Sequence, residues 1–303
     1  MKYDLIVIGA GSGGVRAARI ASVHGAKVAI IENNRFGGTC VNVGCVPKKL
    51  YYYLSQLNKD IENYKSYGWS IPKPSLNWKL FIKKKDQEIT RLNKIYEGIL
   101  SRNKIDIING TAQFLNSQKI KVGKKTYQAK KFIISTGGKP RIPNISKNTK
   151  LIYTSDDIFS LKKLPKRMVI EGGGYIAIEF AFIFANLGVK IDLVYRGKQI
   201  LKSFDSEIVD FLIQSTPKGK IKYHLESQIK KVDKSKSDLI MKNEIIFIQD
   251  MQFEDGMYQV MMPSEIHFIT QIGSTCNLEP QMLGKVKDVA HFEKREYSES
   301  AIN

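Results

Sequence analysis

The apolar and polar positions divide most of the chain into two similar halves. Tyr3-Asp4-Leu5-Ile6-Val7-Ile8 is a short apolar run, as expected of a buried strand. It leads into Gly9-Ala10-Gly11-Ser12-Gly13-Gly14, and residues 15–25 then follow a helical period closed by Gly25. Lys27 to Ile31 is a second apolar strand, ended by Glu32. Together these predict a βαβ unit. Residues 48–103 are mainly helical in pattern, with a break at Ile71-Pro72-Lys73-Pro74. Residues 105–134 read as several short strands with polar turns at 116–118 and 123–125, and Ser135-Thr136-Gly137-Gly138 follows the last of them. The βαβ pattern returns near 166. Arg167-Met168-Val169-Ile170-Glu171 is the strand, Gly172-Gly173-Gly174 the turn, 175–187 the helix closed by Gly188, and 189–195 the next strand. Pro140, Pro143 and Pro165 mark the linker between the units. The two glycine turns lie 163 residues apart, which argues for two domains and against a solenoid repeat.

The first turn has a specific layout. Gly9-x-Gly11-x-x-Gly14 follows a strand and opens a helix, and Glu32 ends the next strand 23 residues after Gly9. The first glycine permits the tight turn, the second lets backbone approach a pyrophosphate, and the third lets helix and strand pack closely. The helix N-terminus offers N–H groups and a positive dipole end to phosphate. Glu32 would accept hydrogen bonds from ribose hydroxyls. Ser12 lies in the same turn. A glycine-rich turn used for packing alone is the competing reading. The expected class is therefore α/β, with two Rossmann-like nucleotide-binding domains.

Composition adds a charge asymmetry. The chain has 303 residues, net charge +19 and 43% hydrophobic content, enough for two ordinary cores. Residues 241–303 hold five Lys/Arg and ten Asp/Glu, a net of −5, which leaves +24 on the first 240. Six of the eight methionines also fall after 240. The lysines are scattered and not gathered into a stripe, so we expect no nucleic-acid partner and read the excess as a field that draws in anions. No stretch of about 18 apolar residues runs without a charge, and the nearest, 175–189, is interrupted by Glu179. The N-terminus shows no secretory signal pattern, and the expected location is cytoplasmic, with no membrane partner.

Of the three cysteines, Cys40 and Cys45 lie five residues apart in Gly37-Gly38-Thr39-Cys40-Val41-Asn42-Val43-Gly44-Cys45-Val46-Pro47-Lys48-Lys49. Such a pair can close across one turn at the start of a helix. A helix N-terminus and nearby lysines lower a thiol pKa and favour thiolate, the form that reacts in disulfide exchange. A metal site is a second reading, but no further Cys or His pair completes a tetrahedral set, so no metal is expected. Two unrelated buried cysteines are the third.

This run resembles the active-site signature of the flavin-dependent pyridine-nucleotide disulfide oxidoreductases, and its Val-Pro-Lys-Lys ending is most similar to glutathione reductases. The resemblance extends from residue 1 to about 225 and patchily to about 279. It implies bound FAD and a redox-active Cys40–Cys45 disulfide. Cys45 would be the charge-transfer thiol nearest the flavin and Cys40 the interchange thiol that attacks the substrate. Thr39 would contact FAD, as would Thr136 and Gly137 in Ser-Thr-Gly-Gly-Lys-Pro. Lys48 would sit by the flavin, paired with Glu179. Arg91-Leu92-Asn93-Lys94-Ile95-Tyr96 resembles the glutathione reductase helix that places a tyrosine over the bound disulfide, here Tyr96. Ser12 and Arg19 match positions that hold glutathione. The implied substrate is glutathione disulfide.

The second turn, Gly172-x-Gly174-x-x-Ala177, repeats the fingerprint with alanine at the third position. An NAD site places Asp or Glu at the end of the following strand, whereas NADP needs cations for its 2′-phosphate. Residues 194–198 contain no acid. By resemblance Arg196 and Lys202 are the two phosphate-binding positions, with Lys where Arg is usual. Lys keeps the charge and loses the bidentate fork. Tyr175 matches the residue that covers the flavin until nicotinamide enters. NADPH is the implied reductant.

The expected organisation is an FAD-binding domain with the redox disulfide over 1–145, an NADPH-binding domain over 146–272, and a degenerate tail over 273–303. The family's C-terminal interface domain, which builds its homodimer and supplies a His-Glu pair, has no recognisable counterpart here. His24, His224, His267 and His291 all lie outside the His-Pro-Thr context of that pair. Residues 268–279 faintly resemble an Ile-Gly-Arg-x-Pro-Asn segment with Arg and Pro lost, and Cys276 within it reads as an inert thiol. Three alternatives to a glutathione-disulfide reductase stay open: a truncated, impaired copy; a dihydrolipoyl or mercuric type of reductase; and a non-catalytic FAD/NADPH-binding module.

Overall fold

A computed structural model of the chain describes residues 2–72, 75–140, 152–216, 219–230 and 266–268. Lys73 and Pro74 of the expected break, Pro143, Cys276, His291 and the expected tail 273–303 lie outside the described residues.

Strand β1 (Lys2–Ile8), helix α1 (Ser12–Val23) and strand β2 (Val28–Glu32) form the first βαβ unit. Two short elements follow, α2 (Gly38–Val43) and the start of α3 (Cys45–Ser66), then α4 (Trp78–Arg102). Four strands complete the first half: β3 (Asp106–Asn109), β4 (Ala112–Asn116), β5 (Lys119–Val122) and β6 (Lys125–Ile134). The sheet order is β3-β2-β1-β6-β5-β4. β1, β2, β3 and β6 are parallel, whereas β4, β5 and the start of β6 form an antiparallel meander.

The apolar strands read from the sequence are buried on both faces, as parallel strands must be. Along β2, Val28 and Ile30 pack with Val15, Ala18 and Leu100 of the helices, while Ala29 and Ile31 face the meander with Ile120 and Phe132.

The second half contains the short α5 (Ser155–Ile158), then β7 (Arg167–Glu171), α6 (Tyr175–Asn186), β8 (Lys190–Val194), α7 (Ser206–Gln214) and β9 (Ile221–His224). Its three described strands are parallel in the order β7-β8-β9. Helix α6 is apolar on most sides because it is enclosed: Ala177, Ile178, Phe180, Ala181, Ile183, Phe184 and Ala185 are all buried. Part of that enclosure comes from the first half. Tyr51 of α3 and Trp78 of α4 join the core around α6, and the Tyr51 ring meets Trp78, Phe81, Phe159 and Phe184.

The chain also returns to the first sheet. Strand β10 (Ile266–Phe268) pairs in parallel with β6, Ile266 opposite Phe132 and Phe268 opposite Ile134. It lies within the span 146–272 that the sequence assigns to the second domain, so that span does not form a single sheet. β6 is long: its first residues, Lys125–Gln128, pair with β5, which leaves the edge at Phe132–Ile134 for another strand.

Candidate functional site

The first glycine turn is as tight as its spacing predicts. A Cβ on Gly9 would collide with the Ser135 carbonyl, and one on Gly14 with the Gly9 carbonyl. Helix α1 can approach β1 this closely because both positions lack a side chain. Gly11 is the N-cap of α1, and no side chain bonds into the cap. Those first-turn N–H groups suit a phosphate. Ser12 opens the helix and is half-buried.

Glu32 has a role that the sequence did not reveal. Its Oε2 accepts the Ala10 N–H at 2.7 Å, and its Oε1 accepts from Asn33 N at 3.0 Å and Asn34 N at 2.9 Å. The carboxylate therefore also braces the glycine turn. The segment after β6 sits beside the same turn. Ser135 N donates to Ile8 O at 2.8 Å, and its hydroxyl donates to the Ile8 and Gly9 carbonyls at 3.1 Å. Thr136 and Gly137 follow, both exposed. The structure thus gathers Gly9, Gly11, Gly14, Glu32 and Thr136 around one loop.

The cysteine turn is stacked on that loop. Gly37 N donates to Ala10 O at 2.8 Å, and Gly37 bridges Gly11. A Cβ on Gly38 would lie 2.6 Å from Gly11 Cα. Cys40 and half-buried Thr39 sit on α2, and Cys45 is the first residue of α3. Both cysteines are free thiols in this structure, Cys40 half-buried and Cys45 exposed.

They are not equivalent. The Cys40 thiol donates a hydrogen bond to the Cys45 sulfur, which is the largest influence on either group. That bond, the N–H at the start of α3 and the charge of Lys48 together lower the Cys45 pKa to about 6, against opposition from partial desolvation by neighbouring groups and from Glu179. Cys40, the donor, is pushed up by the same bond and by burial, so its proton is held.

Lys48 Nζ lies 2.8 Å from Glu179 Oε1, so the expected pair forms. It joins α3 to α6, whose first residue is Tyr175, half exposed. Gly174 is the N-cap of α6, again with no side-chain cap, and Ala177 is fully buried against the core. Gly172 adopts φ 150°. Gly173, which the fingerprint leaves unspecified, is constrained: a Cβ there would lie 2.6 Å from the Tyr195 ring. The loop after β8 folds back on this turn through Leu201 N to Gly173 O at 2.6 Å. Arg196 and Lys202 then line one cleft of about 510 Å³ with Tyr195, Gly197, Lys198 and Gln199. Lys198 is a third cation that the sequence reading did not single out. Nearby Glu171 is half-buried, and burial pushes its carboxyl up against the pull of the Ile229 N–H and Arg196.

The substrate-side positions are less closely drawn together. Arg19 is exposed on α1. Tyr96 is half-buried on α4 and packs on the cluster of Val7, Val15 and Leu100. Two histidines have described side chains. The His24 ring bonds Ile20 O at 2.9 Å, and His224 bonds Asp192 at 2.9 Å. Among the described residues no group of three or more His, Cys, Asp or Glu is placed to hold a metal ion. No helix among them is long and apolar enough to cross a membrane.

Comparison with known proteins agrees with this layout. A family model described as pyridine nucleotide-disulphide oxidoreductase matches residues 3–253. The chain belongs to that family. It is 43% identical over 237 residues to a glutathione reductase of Burkholderia cepacia, covering 78% of this chain and 53% of that protein. It is also 43% identical over 206 residues to a glutathione reductase of Nostoc sp., covering 68% of this chain and 45% of that protein. The chain thus spans about half the length of these relatives. Among solved structures it resembles a Cu(II) complex of RclA, an HOCl-induced flavoprotein disulfide reductase from Escherichia coli. That match has TM-score 0.70 and 25% identity, and covers 82% of this chain and 57% of the other.

Proposed function

We propose that the chain is the dinucleotide-binding and dithiol portion of an NADPH-dependent glutathione-disulfide reductase. The observation that carries the reading is the placing of the Cys40–Cys45 pair, on α2 and the first residue of α3, against the first glycine turn, with the Lys48–Glu179 bridge on the same helix as Cys45. Gly9, Gly11, Gly14, Glu32, Thr39, Thr136 and Gly137 would hold FAD. Gly172, Gly174, Ala177, Arg196 and Lys202 would hold NADPH, with Tyr175 between the two. Ser12, Arg19 and Tyr96 would contact glutathione disulfide. Bound FAD would supply the two-electron relay between NADPH and the disulfide.

The rest is sulfur chemistry. Two electrons break the Cys40–Cys45 bond and leave Cys40 protonated and Cys45 as thiolate. Cys40 sulfur attacks one sulfur of glutathione disulfide, passing its proton to Cys45 along their hydrogen bond. One glutathione leaves as thiolate and takes a proton from solvent. Cys45 then attacks Cys40, and its proton passes to the departing sulfur, which restores the disulfide and releases the second glutathione as thiol. The sum consumes one NADPH, one proton and one glutathione disulfide, and yields two glutathione thiols.

A second reading is a form that accepts electrons and stalls. Among the described residues, the His24 ring bonds Ile20 O and the His224 ring bonds Asp192. General acid–base help is worth about 10²–10⁴ in rate, so slow turnover would mark this form. Anaerobic NADPH titration of the purified protein, followed by glutathione disulfide, separates the readings. Long-wavelength absorbance that appears with NADPH and decays on adding the disulfide supports the reductase. Absorbance that persists supports the stalled form. A colourless protein rejects both, and turnover of lipoamide with NADH rejects the glutathione assignment.

A further inference from the structure

Helix α2 carries Cys40 and helix α4 carries Tyr96, and two asparagine side chains join them. Asn42 is 9% exposed. Its Nδ2 donates to Gly38 O at 2.8 Å and Phe36 O at 3.1 Å, with Arg35 O more distant at 3.5 Å. Asn93, on α4, donates from Nδ2 to the same Phe36 carbonyl at 2.7 Å and to Asn42 Oδ1 at 2.9 Å. An amide nitrogen carries two hydrogens, so each side chain has its full donor capacity engaged. The bonds also fix both amide orientations, because a donor must face Phe36 O. The turn 35–38 is therefore held from α4 on one side. On the other it is held by the glycine loop, through Gly37 N to Ala10 O at 2.8 Å.

We propose that Asn93, acting through Asn42, is a positioning residue that couples the helix bearing Tyr96 to the setting of Cys40 against Cys45. The proposal rests on the disulfide-reductase reading above. Helix α2 has six residues, and Cys40 lies two before Asn42, so a shift of the Phe36–Gly38 turn moves its sulfur. The groups that act on the Cys45 sulfur are the Cys40 thiol, the first N–H of α3, Lys48 and Glu179. Of these, the Cys40 thiol is the one carried by α2, the helix whose first turn the asparagine pair bonds. A side chain that merely packs would support the fold and leave sulfur reactivity unchanged.

The test is the pH profile of iodoacetamide alkylation at Cys45, read by mass spectrometry of its peptide. The full chain is used, reduced with dithiothreitol, without NADPH or glutathione. Asn93→Asp keeps the shape but sets an acceptor against Phe36 O and Asn42 Oδ1, while Asn93→Ser keeps one donor. The expected result is a midpoint raised by about one pH unit in Asn93→Asp, the effect of weakening roughly one charge-assisted hydrogen bond. A smaller rise is expected in Asn93→Ser. Midpoints that coincide with wild type in folded protein overturn the proposal. If Asn93→Asp does not fold, Asn93→Ser decides by the same criterion. A protein that shows the shift but never reduces glutathione disulfide loses the substrate assignment and keeps the asparagine pair. One that reduces it with unshifted midpoints loses the pair alone.

Discussion

Lys48 Nζ and Glu179 Oε1 stand 2.8 Å apart and tie the helix that begins at Cys45 to the helix that begins at the second glycine turn. The two side chains are 28% and 38% exposed, so the pair adds little to stability, at most about 1 kcal/mol. Its leverage is on Cys45. The ammonium favours the thiolate and the carboxylate opposes it, so the pair sets a difference of two opposing charges at the sulfur.

That arrangement predicts opposite effects from two substitutions. With a Cys45 pKa of about 6, thiolate predominates above that pH, and alkylation should slow about tenfold for each pH unit below it. Lys48→Gln removes a favourable charge and should move the midpoint up. Glu179→Gln removes an unfavourable charge and should move it down. Each shift should be below about one pH unit at physiological salt, since both groups are partly exposed. Alkylation profiles of the two variants, taken beside wild type, check the signs. Shifts in the same direction would mean that the pair acts through shape and not charge.

A comparison of two glycines isolates close approach from backbone conformation. Gly38 has φ 60° and Gly123 has φ 58°, so alanine is similarly strained at both, by about 1 kcal/mol. Nothing lies within 4 Å of a Cβ at Gly123, whereas one at Gly38 would sit 2.6 Å from Gly11 Cα. Gly123→Ala should therefore lower the melting temperature modestly and leave flavin content unchanged. Gly38→Ala should destabilise by about 1–3 kcal/mol more and strip flavin from the purified protein, because it pushes the cysteine turn off the glycine loop. Equal flavin-to-protein ratios in the two variants would remove the stacking from the account of cofactor binding.

How much of this could be read from sequence follows the range of each interaction. The glycine fingerprints, the cysteine spacing and the strand–helix–strand periods are local, so Gly9–Glu32, Cys40–Cys45 and Gly172–Val194 were legible before any fold was known. The Lys48–Glu179 pair spans 131 residues and was legible through family resemblance alone. The asparagine pair was not, because 51 residues separate Asn42 from Asn93 and neither stands in a spacing that implies chemistry. Gly173 looked unconstrained because its constraint is the ring of Tyr195, on another strand's end. Tyr51 and Trp78 stand on helices of the first half, yet they pack in the core of the second. The return of β10 to the first sheet depends on an edge of β6 that exists only after folding.

The last prediction concerns the reductant. Arg196, Lys198 and Lys202 line one cleft at the end of β8. If this cleft takes the 2′-phosphate of NADPH, charge removal should weaken NADPH and spare NADH, which has no such phosphate. Loss of one charge-assisted contact is worth about 1.5–3 kcal/mol, or roughly a 10–100-fold rise in Kd. Arg196→Gln should show that rise for NADPH, with NADH changed less than about threefold. Lys202→Arg should act the other way and tighten NADPH, because the guanidinium can offer two parallel donors where the ammonium acts as a point charge. The preference of wild type for NADPH should also shrink with added salt, as expected of partly exposed cations. Binding isotherms for both nucleotides at two ionic strengths test all three statements. An equal loss of NADPH and NADH in Arg196→Gln would place the arginine on a part that the two share, and would return the choice between them to other residues.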